Sequence, residues 1–164
     1  MLRGGRRMAQ KPDSISHEVT VPLAQQESFR LFTHGLASWW PAEYTWSGKV
    51  LESISIEPYE GGHCTEEGPR GFRCDWGRVL VWSPPQRLVL AWQIGPHREP
   101  QPDPEMASTV EVLFRSADAE VTRLLLTHRD FRRHGKGASM YRKALASEIG
   151  WPRILERFVE AAKD

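Results

Sequence analysis

The stretch 88-LVLAWQI-94 decides how the chain is read. Leu88, Leu90, Trp92 and Ile94 alternate with Val89, Ala91 and Gln93, and a period of two puts the first set on one face of a strand. Two runs downstream repeat the pattern. Val110, Val112 and Phe114 share a face within 109–115. Leu124, Leu126 and His128 share one within 121–128, and Ala117-Asp118-Ala119 supplies the turn between the runs. Upstream, Pro84-Pro85 forces another turn. Before it, 62–67 and 71–83 read as a hairpin around Gly68-Pro69-Arg70-Gly71, preceded by a strand at 50–57. His17–Val21 adds a further strand, alternating about Val19 and Val21.

The remaining periodicity is helical. Pro22 suits the first turn of a helix, where a missing N–H costs nothing. Phe29, Phe32 and Leu36 follow at helical spacing, Gly35 interrupts, and Trp39-Trp40-Pro41 ends the segment. Residues 42–48 read as a loop carrying Tyr44 and Trp46. At the other end Tyr141, Leu145 and Glu148, then Leu155, Phe158 and Ala162, keep a period near 3.6. Pro152 inside that pattern predicts a kink or break near Gly150. The prolines of 95–107 (GPHREPQPDPEMA) exclude regular structure there; the segment reads as a surface loop, with a lid as the sharper alternative.

Strands grouped together and helices segregated imply an α+β fold with an antiparallel sheet covered on one face. Six or seven twisted strands curve around the long C-terminal helix, and space left between them is a pocket.

Composition narrows the function classes. The 164 residues suit one domain, with Lys and Arg totalling 22 against 21 Asp and Glu, a formal net charge of +1. Arg3, Arg6, Arg7 and Lys11 against Asp13 give residues 1–16 a local net of +3, so the remainder is −2 by difference. Residues 1–16 read as a disordered basic tail, with a nucleic-acid-binding arm as the sharper alternative, and residues 17–164 as the domain. A domain of that charge is not built to neutralise phosphates, so no nucleic-acid partner is expected. Two cysteines make no secreted disulfide framework, and neither a signal-peptide run nor a membrane span is present, which points to the cytoplasm. Seven tryptophans must fill a core, line a cavity or stud an interface.

The ordered set Phe29, Phe32, Trp39-Trp40-Pro41, Gly61-Gly62, Trp76-Gly77-Arg78-Val79, Pro84-Pro85-Gln86-Arg87-Leu88, Trp92, Thr122 to His128 and Gly150-Trp151-Pro152 resembles the SRPBCC (START-like) superfamily. Within it the chain is similar to the branch of the heat-shock-chaperone ATPase activator, over about residues 17–162. The resemblance implies a helix-grip fold with a hydrophobic cavity between sheet and C-terminal helix. It fixes no function, because members bind varied ligands and some catalyse reactions. The activator proper carries a separate chaperone-gripping N-terminal domain for which this length has no room.

The chemistry-bearing residues are few. The chain shows no HExxH, CxxC, P-loop or dinucleotide motif, and His63 with Cys64 and Cys74 lacks a fourth zinc ligand, so neither metal nor cofactor is expected. Cys64 and Cys74 are equidistant from Pro69, so a symmetric hairpin sets them opposite each other, with a reversible disulfide as a conceivable consequence. Arg78 alternates with Trp76, Leu80 and Trp82; the smaller set Gly77, Val79 and Val81 is expected inside. The run Arg129, Arg132, Arg133, His134, Lys136 reads as a solvated loop, or as an anion trap before the last helix.

The expected function is binding of a small hydrophobic or amphipathic molecule, driven by apolar burial. Trp40, Trp92, Phe114, Leu126, His128, Tyr141 and Trp151 are the expected lining residues, with His128 and Tyr141 supplying polar contacts. One alternative is a cyclase- or hydrolase-like enzyme using His128. Another is a chaperone-interaction module acting through its outer surface; a filled interior would favour it.

Overall fold

Among the described residues, alternating apolar positions build seven antiparallel strands in one sheet of order β1-β7-β6-β5-β4-β3-β2. In the computed structural model the described residues are 13–164, so the reading of residues 1–12 as a tail lies outside them. The strands are β1 (Ser14–Val21), β2 (Ser53–Ile56), β3 (His63–Glu67), β4 (Arg73–Ser83), β5 (Arg87–Trp92), β6 (Ser108–Asp118) and β7 (Val121–Arg129). Among the described residues four α-helices accompany them, besides short 3-10 turns: α1 (Gln25–Thr33), α2 (Leu36–Trp39), α3 (Ala138–Ala146) and α4 (Trp151–Ala162). The fold is α+β, with the sheet packed against the C-terminal helical segment.

The first strand begins at Ser14, three residues before its expected start, pairing Ser14 with Arg129 and Ser16 with Thr127. Residues 14–16 therefore belong to the sheet. Pro22 sits in the bend ahead of α1, which starts only at Gln25, rather than in its first turn.

The inner face follows the expected parity. Leu88 pairs with Val112, Leu90 with Val110, Val112 with Leu126 and Phe114 with Leu124, and all of these are buried. The amphipathic stripe of α4, Ile154, Leu155, Phe158 and Ala162, is buried with them. Phe158 meets Phe32 and Trp39 with ring centroids 5.3 and 5.0 Å apart. Dense aromatic packing thus closes the core beneath α1, α2 and α4.

β4 departs from simple alternation twice. Cys64 pairs with Gly77 but Thr65 with Asp75, so Trp76 is an extra residue on β4. Val79 pairs with Leu90 but Val81 with Val89, so Leu80 is a second. Each such bulge advances the side-chain alternation by one. Arg78 and Leu80 stay on the outer face as expected, whereas Trp76 and Trp82 turn inward, against the expected grouping. Trp76 is 4% exposed, and Trp82 meets Phe29 edge-on at 5.2 Å.

The same irregularity corrects the cysteine pairing. Glu66, not Cys64, is the partner of Cys74. Both thiols are free.

The C-terminal pattern breaks where Pro152 predicts. Residues 147–150 leave the helix and α4 restarts at Trp151, with Pro152 in its first turn. Gly150 is required at the break, because a Cβ there would collide with the Leu145 backbone.

Candidate functional site

At one end of the inner face the sheet and α3 do not fill the space between them, leaving a cavity of about 270 Å³ that is partly open to solvent. Trp40 enters it from the end of α2, Trp76 from the β4 bulge and Trp92 from β5. Tyr141, Ala144 and Leu145 form the α3 side, with Ile149 in the helix break and Ile154 beyond it. Tyr44 and Trp46 close a third side, and Pro96 with Arg98 brings the 95–107 loop to the rim.

The aromatic wall is continuous. Trp40 lies nearly parallel to Trp76, 19° between planes at 6.0 Å, and contacts Trp92 at 6.3 Å. Trp76 and Trp92 meet edge-on at 5.9 Å. Offset and edge-on pairs like these favour aromatic guests as well as each other.

Most polar atoms of the wall are already committed. Trp92 Nε1 donates to Tyr141 Oη at 2.7 Å, and Tyr141 Oη donates to the Ile94 carbonyl at 2.8 Å. Burial raises the Tyr141 phenol above its ordinary range, so it stays protonated and holds this bridge. Tyr44 Oη donates to the Ile149 carbonyl and Trp46 Nε1 to the Arg98 carbonyl, each a bond from one wall to the next. The indole Trp76 Nε1 is buried with no partner.

Glu66 is the buried acidic residue of the wall. It is 1% exposed, lines the cavity from β3, and accepts the backbone N–H groups of Trp46 at 3.1 Å and Ser47 at 2.7 Å.

Of the residues expected at the site, Trp40, Trp92 and Tyr141 line the cavity. Phe114 does not; it packs against Phe29 and Phe32 in the filled part of the core. Leu126 and Trp151 border only a separate void of about 40 Å³. His128 lies behind the wall, fully buried, with its ring stacked on Phe131 at 4.1 Å.

Its protonation follows from its partners. Trp151 Nε1 can only donate, so His128 Nδ1 accepts, at 3.0 Å. Neutral His128 then carries its proton on Nε2 and donates to Ser108 Oγ at 2.7 Å. Ser108 Oγ in turn donates to His134 Nε2 at 2.7 Å. Burial pushes His128 well below the ordinary histidine value, with proximity to His134 adding to it. This chain orients Trp151, which meets Trp92 at 5.3 Å and supports the cavity from behind.

Sequence reasoning missed Glu66, Trp76, Trp46, Tyr44 and Arg98 as lining residues. Glu66 shares strand parity with Cys64, a signal overshadowed by its neighbour Glu67 and the following turn. Trp76 could be placed only by knowing the bulge. The basic run after β7 is largely paired: Arg129 with Glu111 at 2.9 Å, Arg132 with Asp13 at 3.8 Å and Arg133 with Asp130 at 3.9 Å.

The family model described as "Activator of Hsp90 ATPase homolog 1-like protein" matches residues 23–163. The chain belongs to this family. Among solved structures it is similar to the anthrahydroquino-gamma-pyrone synthase Txn09 complexed with SUM, with 33% identity, a TM-score of 0.65, and coverage of 92% of this chain and 99% of that one. It is also similar to CalC, a self-sacrificing resistance protein from Micromonospora echinospora, with 26% identity, a TM-score of 0.64, and coverage of 93% and 96%. The Aha1 dimer from Colwellia psychrerythraea, at 14% identity, a TM-score of 0.59, and coverage of 91% and 95%, shares the fold of the family. Comparison with curated proteins finds no match.

Proposed function

We propose that this chain binds a small, flat, largely apolar molecule in the cavity between the sheet and α3. The observation that carries the reading is the wall formed by Trp40, Trp76 and Trp92 with Tyr141 opposite. Binding would be driven by burying an aromatic body against these rings, with pocket and guest both giving up water-exposed apolar area. Trp92 and Tyr141 are hydrogen-bonded to each other and Tyr44 and Trp46 to neighbouring backbone, so little ordering of these side chains remains to be done when the guest enters. Similarity to a synthase of a fused aromatic product supports a guest of this class.

That similarity also favours a second reading, an enzyme of the cyclase kind. His128 is not the base in it: both ring nitrogens are engaged, and Trp92 and Trp151 stand between it and the cavity. A reaction here would have to use groups at the cavity wall. The chaperone reading draws on the family description, but it gives the open cavity no role.

Native mass spectrometry of protein purified from its own host tests the proposal, together with a tryptophan-fluorescence titration with 2-methoxynaphthalene. Retention of a small aromatic molecule, or saturable quenching, is expected. Bare protein whose fluorescence does not respond to the probe would overturn it.

A further inference from the structure

We infer that Glu66 is the polar anchor of this pocket and that the guest presents a hydroxyl donor, phenolic or enolic, to its carboxylate. The inference rests on the small-molecule reading above and adds the polar half of the ligand's chemistry.

A carboxylate 1% exposed is out of place in an apolar wall unless something holds it. Two backbone N–H groups do so, Trp46 on Oε1 and Ser47 on Oε2. They fix the head group but bring no opposite charge to it. Among the described residues no Lys, Arg or His approaches within 4 Å to form an ion pair with Glu66. An ionised carboxylate has about four lone-pair positions, so roughly two remain open. The strand partners of Glu66, Ile54 on β2 and Cys74 on β4, offer the carboxylate no charge of opposite sign.

No other polar side chain of the wall can serve in its place as an acceptor: the indole of Trp76, whose Nε1 is unpartnered, and the Arg98 guanidinium at the rim can only donate. Tyr141 and Trp92 bridge to each other and to Ile94, Trp46 Nε1 is given to Arg98, and Tyr44 to Ile149. Glu66 is thus a preorganised acceptor with spare capacity beside aromatic faces. Such a site rewards a guest with a donor on its ring over one of the same shape that lacks it. A hydrogen bond to a charged acceptor at a buried site corresponds to about a tenfold or greater preference over a guest that lacks the donor.

Two probes of the same shape separate the possibilities: 2-naphthol, which has the donor, and 2-methoxynaphthalene, which does not. Their affinities are measured by ligand-observed NMR titration on the wild-type protein and on Glu66→Gln. Wild type is expected to bind 2-naphthol about tenfold or more tightly, and Glu66→Gln to bring the two affinities close together. The wild-type comparison stands alone should the variant fold poorly. Equal binding of both probes to wild type, or the same loss of both in a folded Glu66→Gln, would mean that Glu66 only clamps the Trp46–Ser47 turn; that overturns the inference and leaves the pocket reading intact. Binding of neither probe overturns both.

Discussion

His128 is sealed by an indole on one nitrogen and a serine on the other, so it has no place for a second proton. Protonating Nδ1 would break the bond from Trp151 and leave a charge in a fully buried site. His134, half-buried at the end of the same chain, is also pushed below the ordinary histidine value by burial. The unfolded chain binds protons on these residues near pH 6.5, whereas the folded chain does so only at lower pH. Stability is therefore complete above about pH 6.5 and falls as pH drops below that value toward the folded-state pKa values. The carboxylates whose pKa is lowered, among them Glu111 between Arg87 and Arg129, titrate below their ordinary 4.5 and leave the window from pH 7 to 5 to the histidines. Thermal melts across that window should show Tm declining with acid. A flat profile would mean that the histidines are charged or solvated in the fold. Sequence parity was enough to turn His128 inward, because Leu124 and Leu126 share its face. Parity fixes the face but not the depth along it. His128 pairs with Val110 beside filled core, while the cavity opens toward β2–β5, so an inward residue became a buried one rather than a lining one.

At the level of the elements, regular periodicity carried most of the legible information. The clean alternation of β5, β6 and β7 placed their inner faces, and Pro152 located the helix break. Bulges carry no comparable pattern, since one extra residue in β4 changes the register of everything after it. Trp76, a cavity wall, and the cysteine pair were both misjudged for this one reason. The corrected register gives the thiols different fates. Cys64 is fully buried beside Gly77, and burial raises its pKa far above the ordinary thiol value. Cys74 is partly exposed; burial raises its pKa as well, but the sulfur lies near the β3–β4 hairpin surface. Since reaction requires an accessible thiolate, one thiol should react with a disulfide reagent in the native protein and the other only after opening. Mass spectrometry of partly labelled protein should find the label on Cys74. Equal labelling of both, or a Cys64–Cys74 disulfide in freshly isolated protein, would contradict the register.

On the scale of the whole molecule, the fold divides its inner face between two tasks. Beneath α1, α2 and α4 the face is filled by Phe29, Phe32, Phe114 and Phe158 in edge-to-face contact, and that half holds the sheet and helices together. Beneath α3 it is left open, because the break at 147–150 ends α3 before it can continue the apolar stripe of α4. The helix break is thus the feature that separates packing from pocket, and the two halves should respond independently to substitution. Ala144 tests this division. It lies on α3, on the cavity side and exposed, where a larger side chain enters the void without displacing core atoms. Ala144→Trp should leave stability within about 0.5 kcal/mol of wild type, as expected for a surface position. The same change should weaken 2-naphthol binding by tenfold or more, because the indole would occupy the guest's space against Trp40 and Trp92. Chemical denaturation and ligand-observed NMR on one protein sample read the two quantities separately. Undiminished binding would place the guest outside this cavity. A large loss of stability would show instead that α3 and the core are coupled, and that the open half of the face is part of what holds the fold.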